Sequence, residues 1–182
     1  MKYYREFALK NGKIGILRHG TAEDGQAVLD LFQTTHGETD YLLTYPDETT
    51  FDAEAEGQFL KEKAESEREV EILAVVNGEL AGSAGIHALG AKCKIRHRAD
   101  FGISVLKKYW GLGIGRSLTE ACIECAKAAG YTQLELDVIA DNERAAALYR
   151  SLGFTECGRN PRGMRSRTAG YQEVVSMRME LV

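Results

Sequence analysis

The stretch YWGLGIGRSL, Tyr109 to Leu118, sets Gly111, Gly113 and Gly115 at alternate positions between a strand-like run and a helix-like run. Few features restrict a fold more than bare backbone at such a junction. Glycines so placed serve a turn, close packing, or a ligand that must touch main-chain N–H groups, and the surroundings decide which.

The surroundings alternate strands and helices after an opening hairpin. Residues 3–9 and 13–18 are strand-like around Asn11-Gly12, a strong turn signal. A helix is expected from Glu23 to Thr35, with Ala27, Val28, Leu31 and Phe32 on one face. An acidic stretch leads to a helix from Asp52 to Glu65. EVEILAVV, ELAGSAGIHAL and KCKIRHRADFGISV read as three strands, the first two joined through Asn77-Gly78. After the glycines come a helix to Ala129, the strand LELDVIA, a helix from Asn142 to Leu152, a short strand FTECG and a last strand YQEVVSMRMEL. Gly130 and Gly153 stand where helices stop. RNPRGMRSRTAG, Arg159 to Gly170, reads as a long loop.

With no repeat or linker in 182 residues, a single domain over residues 1–182 is expected, large enough to bury a core without staples. A net charge of −4 argues against general nucleic-acid binding. No apolar span is long enough for a membrane helix and the start lacks a signal-like apolar region, so a cytoplasmic protein is expected. Cys122 and Cys125 form a CxxC pair. However, they fall on a helical stripe with Ile114, Leu118, Ala121, Ala126 and Ala129, and no second ligand pair accompanies them. Core packing is the reading, and no metal is expected.

The glycines lie in a strand–loop–helix, where free N–H groups at a helix N-terminus face whatever lies beyond the strand end, a site suited to phosphate. Arg116 and Ser117 add donors, and Lys107 and Lys108 add positive potential. GLGIGRS lacks the spacing and lysine of a P-loop, and Gly111-Leu112-Gly113-Ile114-Gly115 lacks the last glycine of a dinucleotide fingerprint.

VLKKYWGLGIGRSL followed by ELDVIADNERAAALYRSLGF resembles the acetyl-CoA core of the GCN5-related N-acetyltransferases. The family's loop, Q/R-x-x-G-x-G/A, has its glycines at Gly113 and Gly115, with Trp110 at the first position. The second block, N-x-x-A-x-x-L-Y-x-x-x-G-F, matches at Asn142, Ala145, Leu148, Tyr149, Gly153 and Phe154. The resemblance implies a mixed α/β (α+β) fold, a central sheet of about seven strands flanked by about four helices, with splayed central strands. It also implies that the strand of Ile103, Ser104 and Val105 splays from that of Leu136, Asp137 and Val138. The pantetheine arm of acetyl-CoA then enters the gap, and Tyr149 sits near the sulfur as general acid. Trp110 to Ser117, with Leu112 and Ile114 among them, is implied to hold the phosphates. Asn142 caps its helix, touches the cofactor, or does both.

A base for the amine is sought in KIRHRADFGISV, where His97 and Asp100 are the candidates. Asp100 equally suits a pair with Arg96 or Arg98, and His97 a plain hydrogen-bonded role. For the acceptor, the acids between Glu38 and Glu71 favour a cation, although most read as solvated helix surface. Arg159, Arg162, Arg165 and Arg167 favour a carboxylate instead. The expectation is an N-acetyltransferase with acetyl-CoA and a primary amine (polyamine, amino acid or peptide N-terminus) as partners. No nucleic acid or membrane is expected, and a homodimer is admitted. Two other readings stay open: a non-catalytic acyl-CoA-binding module, and a nucleotide-binding domain using the same glycines.

Overall fold

Largely buried apolar runs in VEILAVV and ELAGSAGIHA make β3 (Val70–Val76) and β4 (Glu79–Ala88) interior strands of a sheet covered on both faces. A computed structural model describes residues 1–181. The sheet has eight strands in the order β1-β2-β3-β4-β5-β6-β8-β7, one more than the resemblance implied. The others are β1 (Tyr4–Ala8), β2 (Ile14–His19), β5 (Arg98–Val105), β6 (Gln133–Ile139), β7 (Thr155–Ser166) and β8 (Gly170–Glu180). All neighbours run antiparallel except β5 and β6.

Four helices cover the sheet: α1 (Gly25–Glu38), α2 (Ala53–Glu65), α3 (Ile114–Ala128) and α4 (Glu143–Leu152). The strand alternation divides the apolar residues between two faces. Val70, Ile72, Ala74, Ala84, Ile86, Ala99 and Phe101 join the main core with Ile114, Leu118, Ala121, Cys122 and Cys125 of α3 and Ala146 and Tyr149 of α4. On the opposite face Leu73 packs with Val28 of α1 and Leu60 of α2. The cysteine stripe is therefore core as expected; both thiols are free and burial raises their pKa values. Ala27, expected on the buried face of α1, is exposed.

Two expectations are corrected. Residues 92–97 are a turn rather than the start of a strand. The Ile95 and Arg96 N–H groups both bond to the Lys92 carbonyl, and β5 begins only at Arg98. The loop expected from Arg159 to Gly170 is mostly strand: β7 continues to Ser166 and pairs with β8. A register shift between Asn160 and Met164 absorbs Pro161, Arg162 and Gly163.

Candidate active site

β5 and β6 pair only at Arg98↔Gln133, Ala99↔Leu134 and Asp100↔Glu135. Beyond that point β5 keeps only β4 as partner, as far as Val105↔Gly82, and β6 keeps only β8. The two strands splay, and the β5 backbone from Ile103 to Val105 borders the gap without a β6 partner.

Past the end of β5 the chain makes a short 3-10 turn, Lys107–Tyr109, and the Trp110 indole N–H donates to the Val105 carbonyl at 2.7 Å. Trp110 thus braces the loop to the strand end. Gly111 (φ +84°) and Gly113 (φ +97°) adopt left-handed conformations that cost other residues energy. Gly113 is the N-cap of α3, and the first helical bond runs from Ser117 N–H to the Gly113 carbonyl at 3.1 Å. The N–H groups of the first turn thus have no partner within the helix, and the helix dipole adds to their pull on an anion.

These elements surround a cavity of about 450 Å³. Ile103, Ser104 and Val105 line one side, and Trp110, Gly111, Gly113, Ile114, Gly115 and Arg116 line the loop end. Asn142 and Tyr149 line it from α4. Leu112 and Ser117 do not line it: their carbonyls accept from the Lys10 N–H (3.0 Å) and from Arg5 Nη2 (3.1 Å). Lys108 is held by Glu79. The cations beside the cavity, besides Arg116, are Lys10 from the β1–β2 turn and Arg144, stacked 5.3 Å above the Trp110 ring. Neither is singled out by the sequence pattern, although Arg144 follows Asn142 by two positions in the second motif.

The Asn142 side chain accepts from the Ala145 N–H at 3.2 Å, capping α4 while also lining the cavity. Tyr149 is 7% exposed, its ring edge-to-face with Phe101 (6.1 Å) and Phe154 (5.8 Å). Its hydroxyl makes no hydrogen bond among the described residues, and burial pushes its pKa up to about 12. The group therefore combines a core ring with a protonated hydroxyl on a cavity wall.

His97 lies exposed in the turn before β5, where its carbonyl accepts from Thr132 and Gln133 N–H. Asp100 is exposed on β5. Its carboxyl is raised to about 6, first by lost hydration and then by Asp137 and Glu135. Arg98 pairs with Glu135 at 2.5 Å rather than with Asp100. Neither His97 nor Asp100 lines the cavity. The four arginines are occupied as well: Arg159 bonds Glu156 (2.5 Å) and Glu173 (3.1 Å), and Arg167 bonds Asp47 (2.7 Å) and Glu48 (3.3 Å). Arg162 and Arg165 lie over Tyr171. Among the described residues, no three His, Cys, Asp or Glu side chains cluster so as to hold a metal ion, and no helix is long and apolar enough to cross a membrane.

The sequence model of the Acetyltransferase (GNAT) family matches residues 16–154. Among curated proteins, the N-alpha-acetyltransferase RimI of Mycobacterium tuberculosis is 38% identical over 81 residues, 44% of this chain and 49% of that protein. The [Ribosomal protein bS18]-alanine N-acetyltransferase of Escherichia coli is 45% identical over 56 residues, 31% of this chain and 38% of that protein. The match thus spans half or less of the length of these curated relatives. Among solved structures, a GNAT-family acetyltransferase from Streptococcus pneumoniae superposes with a TM-score of 0.87 at 29% identity, covering 91% of this chain and 99% of that one. The fold is also that of yncA from Salmonella typhimurium, solved with acetyl-CoA (TM-score 0.81, 18% identity, covering 92% of this chain and 94% of that one).

Proposed function

This chain belongs to the Acetyltransferase (GNAT) family, and from that membership we propose that it transfers an acetyl group from acetyl-CoA to a primary amine by direct attack. The observation that carries the reading is the coincidence of three features at one cavity: the unpaired first turn of α3, the splayed β5 and the Tyr149 side chain.

Acetyl-CoA supplies an activated acyl group as a thioester. The chain's own residues do the rest. Main-chain N–H groups from Gly113 to Arg116 bind the pyrophosphate, helped by Lys10, Arg116 and Arg144. Leu112 and Ser117 shape the loop from behind. The β5 backbone at Ile103 and the N–H of Val105, whose carbonyl is held by Trp110, bond the amides of the pantetheine arm and aim the thioester at Ser104 and Tyr149. As the amine nitrogen forms its bond to the carbonyl carbon and the C–S bond breaks, the Tyr149 hydroxyl donates its proton to the departing sulfur, and the proton that the new amide nitrogen sheds returns through solvent to the tyrosinate. A phenol raised to about 12 holds that proton at any working pH.

A primary amine arrives in water as an ammonium ion and must lose a proton before attack. Asp100, held up to about 6 and open to solvent, can receive it through water, and His97 stands in the turn just before it. Two curated relatives are named N-alpha-acetyltransferase and [Ribosomal protein bS18]-alanine N-acetyltransferase, and those names support testing a peptide N-terminus as acceptor beside polyamines and amino acids. Against a free amino acid stands the pairing of Arg159 and Arg167 with acids of the chain itself. The test is release of free thiol from acetyl-CoA across a panel of spermidine, amino acids and peptides. Amine-dependent release supports the transferase. Binding of acetyl-CoA with no release above hydrolysis would instead identify a non-catalytic acyl-CoA-binding module.

A further inference from the structure

The face of the sheet covered by α1 and α2 carries polar groups where a core would carry aliphatic ones. Strand register places Glu71 of β3 opposite Gly85 of β4, and Gly85 opposite Gly102 of β5. The next row on the same face is Leu73, Ser83 and Ser104, and His87 stands opposite Asp100. A Cβ built at Gly85 would stand 2.2 Å from Glu71 Oε2 and 3.1 Å from His87 Nε2, so the Glu71 carboxylate lies across β4 in space that only glycine leaves open. A Cβ at Gly102 would meet nothing within 4 Å.

Above this floor is a second cavity of about 300 Å³, with Phe32, Phe51 and Phe59 in its walls and Glu56 entering from α2. Ser104 lines both this cavity and the larger one, so the two meet at β5. Neither Glu56 nor Glu71 forms an ion pair among the described residues. The neighbouring cation, Lys63, is already committed to Glu69 at 2.6 Å and to His87 Nδ1 at 2.9 Å. Two half-buried carboxylates face this partly open, aromatic-walled space with Ser83 bonded to Glu71 and Lys63 turned to other partners, so a cation that enters gains two counter-charges. Burial is the main reason both stand above the usual carboxylate range, Glu71 at about 7.

We propose that this second cavity is the distal half of the acceptor site, taking a second, non-reacting cationic nitrogen of a slim diamine on Glu71 and Glu56 while the reacting primary amine lies at Ser104. The proposal rests on the acetyltransferase reading and narrows its acceptor. From strand spacing and rise, a group above Gly85 lies roughly 8 Å from Ser104, the reach of a chain of about four to six methylenes. The phenylalanine walls suit those methylenes, and their ring faces suit an ammonium group. A monoamine of the same length would leave both carboxylates unpaired, and an acceptor bearing a carboxylate would be repelled.

The experiment compares 1,5-diaminopentane with 1-aminopentane in steady-state kinetics for the wild type, Glu71→Gln and Glu56→Gln, with binding of each amine followed by calorimetry. Expected is a diamine preference in kcat/KM of at least about tenfold, carried by KM and reduced severalfold in both variants. Turnover of both amines with no diamine preference, or a preference that survives in both variants, would overturn the diamine site and leave the acetyltransferase reading standing. If no amine is turned over, the acetyltransferase reading fails. Calorimetry then decides the cavity alone: diamine binding lost in Glu71→Gln supports it, and no diamine binding to the wild type overturns it.

Discussion

The proposed mechanism gives Tyr149 two duties, and one substitution separates them. Tyr149→Phe keeps the ring against Phe101 and Phe154 and removes only the hydroxyl. If that hydroxyl protonates the leaving thiolate, acetyl-CoA affinity should stay near wild type while kcat falls. General acid help is worth roughly 10²–10⁴-fold, and a thiolate leaves readily, so the lower end is expected. Wild-type kcat in the variant would make Tyr149 a packing residue only. At Gly113 and Gly115 the expected loss is in binding instead. Gly113→Glu combines left-handed strain at φ +97° with a like charge in the phosphate volume, and Gly115→Glu adds the charge alone. Calorimetry should find acetyl-CoA binding lost in both, and retained affinity in a folded variant would refute the phosphate assignment. These residues are legible in the sequence because local motifs carry them. Glu71 is not. It closes the acidic run that starts at Glu38 and sits near the start of the strand EVEILAVV with no motif around it, and its setting depends on how α1 and α2 fold back over that face of β3.

Elements are legible where burial imposes a period. In α3 the residues Ile114, Leu118, Ala121, Cys122, Cys125 and Ala126 are all buried, as helical spacing predicts, because one face must meet the sheet. Replacing Cys122 and Cys125 together by Ala should therefore cost stability, on the order of 1–2 kcal/mol in denaturant unfolding, without lowering activity per folded molecule. Turnover lost in the double variant and restored by zinc would contradict the packing role. β7 shows the opposite case. Apart from Met164 and Ser166 its residues are exposed, so no alternation marks it, and Pro161 and Gly163 point to a loop. The ladder to β8 forms it, with Gly163 close enough to β8 that a Cβ would stand 2.5 Å from Val174 Cγ2. The turn at 92–97 fails similarly. KCKIRH has strand-like alternation, but local bonds to the Lys92 carbonyl take the chain out of the sheet before β5 begins.

At the scale of the whole molecule, the splay of β5 from β6 brings the separate parts to one place. It opens the large cavity beside α3 and α4, and Ser104 on the freed part of β5 borders the smaller cavity beneath α1 and α2. An acyl donor on one side and an amine on the other could then meet at that strand, which is the geometry a direct transfer requires. The sequence motifs point to the proposed donor side because its backbone is local in sequence; the proposed acceptor side is assembled from β3, β4, α1 and α2 and carries no short signature. The decisive measurement is amine-dependent release of free thiol from acetyl-CoA by the wild type, run beside Gly113→Glu with the acetylated amine identified by mass. The account predicts thiol and acetylated amine in equal amounts from the wild type and neither from the variant. Tight acetyl-CoA binding by the wild type with no release above the hydrolysis background, for every amine tested, would contradict it.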